Sequence, residues 1–171
     1  MSNENLESVN AALRLINENS VGVLDKSFLS QSLSALDPKE PICIREEQSV
    51  EETLAALREH KIGCVLIVDS DGKLTGIFSE RDFLIKVAKE YESVRLEPIT
   101  RFMTPSPIAE SMDCTVAFAL NLMSHGGFRH LPIVDGDGRP VGAISVKDVV
   151  DFLVNTFTED LLNFNTDLAL D

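Results

Sequence analysis

Two heptads decide how this chain folds: Gly76-Ile77-Phe78-Ser79-Glu80-Arg81-Asp82 and Gly142-Ala143-Ile144-Ser145-Val146-Lys147-Asp148. They stand at a constant offset of 66, and that offset holds without a gap when residues 41–86 are laid over residues 107–152. Pro41-Ile42 falls on Pro107-Ile108, Ser49-Val50 on Thr115-Val116, and Ile67-Val68-Asp69 on Ile133-Val134-Asp135. Internal repetition of this kind means two copies of one supersecondary unit, neither able to bury its apolar face alone.

The same order of elements reads out of each copy. A short strand near Ile42 to Ile44 precedes Val50, Leu54 and Leu57, which recur at helical spacing behind a Ser49/Glu52 capping-box start. The β-branched run Val65 to Val68 is a strand, Asp69-Ser70-Asp71-Gly72 a hairpin turn, and Leu74 to Phe78 its partner strand. Phe83, Val87 and Leu84 mark a second helix to about Glu90. Copy two repeats this with a strand near Ile108, a helix from Val116 to Ser124, strands Leu131–Val134 and Val141–Ile144, and a helix from about Val146 to Thr156. Tyr91 to Pro105 reads as the connection.

The expected class is therefore α+β: two β-α-β-β-α repeats related by a pseudo-twofold, with helical N- and C-terminal flanks. The expected boundaries are a flank at 1–30, repeats at 31–92 and 93–156, and a tail at 157–171. A unit of under about 60 residues buries only part of its unfolded surface, so two copies stacked on each other would share an apolar face and leave two related clefts. Leu6, Val9, Leu13 and Ile16 lie at helical spacing in the N-terminal flank, and Thr156-Phe157-Thr158-Glu159 could cap a further short helix holding Leu161, Leu162 and Phe164. Both flanks read as packing or dimerisation elements.

Composition narrows the function. The chain has 171 residues, 44% hydrophobic and 25% charged, an ordinary globular balance. Its net charge of −13, unbroken by any basic run, argues against nucleic acid. No apolar stretch approaches a membrane span, and no secretory signal is visible, so a cytoplasmic location is expected. The three cysteines lack metal or redox spacing and read as small apolar residues. Asp69 to Glu80 mimics a calcium loop but has Leu74 where glycine is required. The histidines lack zinc-ligand company, and no nucleophile elbow or phosphate loop appears.

The two heptads, supported by Met103-Thr104-Pro105 and by Arg129-His130-Leu131-Pro132-Ile133-Val134-Asp135, resemble the Gly-apolar-x-Ser/Thr-x-x-Asp element of the cystathionine β-synthase (CBS) domain, which occurs in tandem pairs called Bateman modules. The resemblance covers roughly residues 30–155. It implies a regulatory binding module, not an enzyme, holding AMP, ADP, ATP, NAD or S-adenosylmethionine between the repeats. It implies no catalytic residue, no metal and no catalytic cofactor, with the adenine nucleotide as regulatory ligand. Carried over position by position, Asp82 and Asp148 resemble acceptors for the two ribose hydroxyls, and Ser79 and Ser145 donors to ribose or phosphate. The backbone around Gly63-Cys64-Val65 and Arg129-His130-Leu131, with Ile42 and Ile108, would be the adenine slot.

The chemistry is reasonable without the family. A carboxylate only accepts, so a vicinal diol can offer it two O–H donors. The helix start after each Ser presents unpaired N–H groups to a phosphate. Arg81 and Lys147 add positive charge, Arg129 can bind phosphate bidentately, and His130 stands beside it. Copy one offers only Gly63 and Cys64 at the places of Arg129 and His130, so unequal clefts are expected. Ser-x-x-Asp is also nearly a capping box, although such boxes favour the longer Glu or Gln. The expected function is sensing of adenine nucleotides by a homodimer that signals to a separate effector protein. The alternative is a structural or dimerisation module with vestigial clefts.

Overall fold

The structure, a computed structural model, describes residues 26–167, with side chains described for 28–156. The helical pattern expected on Leu6, Val9, Leu13 and Ile16 lies outside the described residues. The elements are α1 (Lys26–Ser30), a 3₁₀ turn at Leu33–Leu36, β1 (Cys43–Arg45), α2 (Val50–His60), β2 (Cys64–Val68), β3 (Leu74–Ser79) and an irregular helix α3 over 80–94. After a 3₁₀ turn at Ile99–Arg101 come β4 (Thr104–Pro105), α4 (Val116–Gly126), β5 (His130–Val134), β6 (Pro140–Ser145) and α5 (Val146–Asp167). Among the described residues no helix is long and apolar enough to cross a membrane.

Local chemistry accounts for these elements. Ser49 caps α2 through a reciprocal box: its amide donates to Glu52 Oε2 at 2.7 Å, and the Glu52 amide to Ser49 Oγ at 3.2 Å. At the hairpin, Asp69 Oδ1 accepts from the amides of Asp71 and Lys73, each at 2.9 Å, and Gly72 takes the left-handed conformation the turn requires. Gly127 ends α4 at φ 67°, its amide donating to Met123 O, a left-handed glycine cap.

β1 runs parallel to β2, β2 antiparallel to β3, and β3 antiparallel to β4; β5 and β6 form a separate antiparallel pair. The strand expected near Ile108 is reduced to a single bridge between Glu110 and Ile133. In repeat 1 the Leu66 amide donates to Ile42 O at 3.0 Å. The residue at the same offset in repeat 2 is Pro132, which has no N–H to give Ile108, so the ladder cannot extend that far.

Two other expectations shift. The second helix of repeat 1 continues to Val94, with a π segment over Phe83–Val87. Val87 enters the core, whereas Leu84, expected to mark the helix, is exposed. The short capped helix expected after Thr156 does not form. No proline or glycine interrupts 146–167, and Thr156 Oγ1 bonds back to Phe152 O at 2.9 Å instead of capping, so α5 runs through as one helix of 22 residues.

Two cores form, and each borrows a turn from the other repeat. Leu33 is fully buried among Val116, Ala119, Met123, Leu131, Ile133 and Ile144, all in repeat 2. Ile99, at the matching offset, is fully buried among Ile44, Val50, Leu57, Val65, Ile67 and Phe78 of repeat 1. The backbone repeats the exchange: Leu33 N–H donates to Cys114 O at 2.8 Å and Val116 N–H to Gln31 O at 2.9 Å, mirrored by Ile99 N–H to Gln48 O at 2.8 Å and Val50 N–H to Glu97 O at 3.0 Å. Burying one such side chain is worth about 1.5–3 kcal/mol. The repeats are therefore stapled at both ends, and the seam between them is a defined surface.

Candidate functional site

Two clefts open along that seam. Cleft 1, about 470 Å³, joins Ser79, Arg81, Asp82 and Ile85 at the start of α3 to Ile108 and 126–130 from repeat 2, with Thr104 and Ser106 on its rim. Cleft 2, about 530 Å³, joins Ser145, Lys147 and Asp148 at the start of α5 to Ile42 and 61–64 from repeat 1, and Arg129 and His130 border it too. Each heptad thus faces the strand edge of the other copy. Cross-repeat bonds hold the arrangement: Arg81 Nη1 donates to Gly127 O at 3.0 Å, Leu74 N–H to Gly138 O at 2.9 Å, and Arg139 Nε to Asp71 O at 3.3 Å.

Both aspartates are engaged at their own helix starts. Asp82 Oδ2 accepts from the Ser79 amide at 2.9 Å and from Ser79 Oγ at 2.6 Å, and the Asp82 amide donates to Ser79 Oγ at 3.3 Å. Asp148 Oδ2 accepts from the Ser145 amide and Oγ, each at 2.7 Å. Aspartate closes a capping box despite its shorter reach, contrary to the preference for Glu or Gln. Only one carboxylate oxygen is used in this way, however, and the other differs between clefts. Asp82 Oδ1 receives Lys86 Nζ at 2.8 Å and Thr104 Oγ1 at 3.4 Å. Asp148 Oδ1 has no hydrogen-bond partner among the described residues, and Asp148 lies exposed on the rim.

The electrostatics follow. Burial raises the Asp82 pKa, but hydrogen bonds from Lys86 and Ser79 outweigh it and hold the carboxyl below its usual value. Burial, aided by the negative charges of Asp148 and Asp82, pushes the Cys64 thiol up to about 12, so the residue behaves as an apolar wall. Burial and then Arg129 lower His130, against the opposing pull of Asp148 and Glu80. His130 lies so close to Gly63 that a Cβ there would stand 2.9 Å from Nε2. Lys147 is bonded to Asp151 one turn along α5, which raises its pKa and engages one of its three ammonium donors.

The structure brings Ser79, Arg81, Asp82 and Ile108 together in cleft 1, Ser145, Lys147, Asp148, Gly63, Cys64 and Ile42 in cleft 2, and Arg129 and His130 at both. Val65 and Leu131 line neither. Strand alternation sends their side chains into the two cores, while Cys64 and Leu66 on the opposite face reach cleft 2. Sequence reasoning passed over Lys86, Thr104 and Glu80. An i,i+4 spacing from Asp82 pointed to Lys86; Thr104, quoted only within the supporting match Met103-Thr104-Pro105, reaches Asp82 through the β3–β4 pairing. Among the described residues no group of His, Cys, Asp and Glu is placed to hold a metal.

Comparison with known proteins agrees with this architecture. The CBS domain profile matches residues 34–89 and 99–155. The chain is 36% identical over 116 residues to an uncharacterized protein from Methanopyrus kandleri, covering 66% of this chain and 59% of that protein's length. Among solved structures it superposes on CBSX2 in complex with AMP (26% identity, TM-score 0.60, covering 71% of this chain and 96% of that one). It also superposes on the CBS domain pair of protein MJ0100 in complex with 5′-methylthioadenosine and S-adenosyl-L-methionine (27% identity, TM-score 0.65, covering 74% and 98%). With both repeats matched in register and the two-cleft seam in place, this chain belongs to the CBS domain family.

Proposed function

We propose that the chain is a regulatory module that binds adenosine-containing nucleotides in its seam clefts and reports their level to a separate effector protein in the cytoplasm. One observation carries the reading: each cleft joins the Ser-x-x-Asp helix start of one repeat to the strand edge of the other. A ligand there touches both repeats at once. It therefore favours one relative placement of the repeats, or one state of a complex, which is what regulation by binding requires. The AMP and methylthioadenosine complexes of similar proteins support adenosine compounds as the ligand class. Asp82 and Asp148 are assigned to the ribose hydroxyls, and Arg81, Arg129 and His130 to the phosphate end of cleft 1. No residue is assigned to catalysis.

The signalling form is a homodimer. Leu84 and Ile85 on α3 and Val146, Val150 and Val154 at four-residue spacing on α5 are exposed apolar side chains that a second copy would cover.

Thermal melting with AMP, ADP, ATP, NAD and S-adenosylmethionine tests the reading. Ligand at a hundred times its dissociation constant adds about 2.7 kcal/mol, and for 150–250 residues each kcal/mol moves Tm by about 2–4 °C. A second reading, a structural module with vestigial clefts, draws support from the closed capping boxes, which satisfy both aspartates in part without any ligand. A melting temperature unmoved by all five compounds would favour that second reading.

A further inference from the structure

We propose that the clefts divide the ligand chemistry between them: cleft 1 takes a phosphorylated nucleoside, and cleft 2 a phosphate-free nucleoside held through its 2′,3′-diol by Asp148. This deepens the nucleotide-binding reading and rests on it.

Charge is the first argument. The charged side chains lining cleft 1 are Arg81, Arg129 and Asp82, and Lys86 already neutralises that aspartate. Arg81 spends one donor on Gly127 O, which pins its guanidinium across the cleft mouth and leaves its other N–H groups for an anion. Cleft 2 is lined by Asp37, Glu40, Glu80 and Asp148 against Lys39, Lys61, Arg129 and Lys147, so its lining charges cancel. Of these cations, Lys147 is bonded to Asp151 one turn along α5, whereas Arg81, its match in sequence, is bonded across the cleft to Gly127 O. A phosphate entering cleft 2 would therefore meet no excess of positive charge, in a chain already at −13, whereas in cleft 1 the two guanidinium groups outnumber a single aspartate that Lys86 neutralises.

The polar acceptors divide the same way. In cleft 1 both oxygens of Asp82 are taken, so a diol must compete with Lys86 and Thr104. In cleft 2, Asp148 Oδ1 has no partner among the described residues, while Oδ2 is anchored by Ser145 and fixes the carboxylate plane. The substitutions responsible sit at the offset of 66: Phe152, half-buried and stacked on Phe28, replaces Lys86, and Pro38 replaces Thr104. Pro38, Pro41, Ile42 and Ile62 give cleft 2 an apolar wall suited to a base and an uncharged 5′ substituent.

Calorimetry on the full chain with AMP and with 5′-deoxyadenosine separates the clefts. The expected result is simultaneous binding, AMP at saturation leaving the affinity for 5′-deoxyadenosine within twofold. Asp148→Asn should weaken 5′-deoxyadenosine tenfold or more and AMP less than twofold, and Arg81→Ala should do the reverse. On the unaltered protein 2′,3′-dideoxyadenosine should bind at least tenfold more weakly than adenosine, which tests the diol contact without any variant. Mutual displacement of the two probes, or equal weakening of both by Asp148→Asn, overturns the division while leaving nucleotide binding intact. Absence of binding by either probe removes both readings together.

Discussion

In cleft 1 the aspartate at the helix start is shared among Ser79, Lys86 and Thr104, and two guanidinium residues border the cavity; in cleft 2 its counterpart is hydrogen-bonded, among the described residues, to Ser145 alone, and four carboxylates in the lining are balanced by four cations. The same supersecondary plan, duplicated at a fixed offset, thus yields two chemically unlike cavities. The difference comes from few positions. Lys86 and Phe152, Thr104 and Pro38, and Leu66 and Pro132 are offset pairs in which one member carries a polar group or N–H that the other lacks. Duplication preserved the backbone scaffold, because apolar burial constrains Leu33 and Ile99 alike, while rim positions diverged at small cost in stability.

The largest effects are expected where the comparison predicts sameness. Leu33→Ala and Ile99→Ala should each cost about 2–5 kcal/mol in urea unfolding. Amide exchange should show the damage in the opposite repeat: around Val116 to Ile144 for the first and around Ile44 to Phe78 for the second. Loss of protection confined to each residue's own repeat would refute the exchanged-turn arrangement.

The unequal strand edges offer a smaller and sharper test. Pro132→Leu restores a donor opposite Ile108, and the new bond is worth about 0.5–1.5 kcal/mol. Removing proline loosens the unfolded chain by a comparable amount, about 0.4–1 kcal/mol. Stability should therefore change by less than about 1 kcal/mol, while the new amide at position 132 exchanges slowly. Rapid exchange there would show that the absent N–H is not what shortens the strand.

The smallest effect concerns His130. Its folded pKa lies below the unfolded value of 6.5, so below that pH the unfolded state binds more protons than the folded one. Stability should be complete above pH 6.5 and decline as pH falls from there toward the folded value. A His130→Gln variant should lose this slope, as measured by melting at a series of pH values. An unchanged slope would place the titration elsewhere and free His130 from its tight seat against Gly63.

Much of this molecule was readable as sequence, for reasons that differ by element. The hairpin around Asp69 to Gly72 and the Ser49/Glu52 box are local: turn and cap residues act within four positions of themselves, so their pattern and their structure coincide. The heptads could be located as helix starts for the same reason. What those helix starts face could not be read, because that depends on partners some fifty residues away, as Arg81 and Gly127 show.

The linear order of residues by itself determined two copies of one β-α-β-β-α unit, since apolar periodicity and turn chemistry are properties of neighbours along the chain. Only the tertiary structure decided that Leu33 and Ile99 trade cores, that each Ser-x-x-Asp meets the opposite copy, and that Asp148 keeps an open oxygen where Asp82 does not. These outcomes turn on which groups reach one another through space, and a missing N–H at Pro132 or a lysine at position 86 settles them only after the two halves have closed.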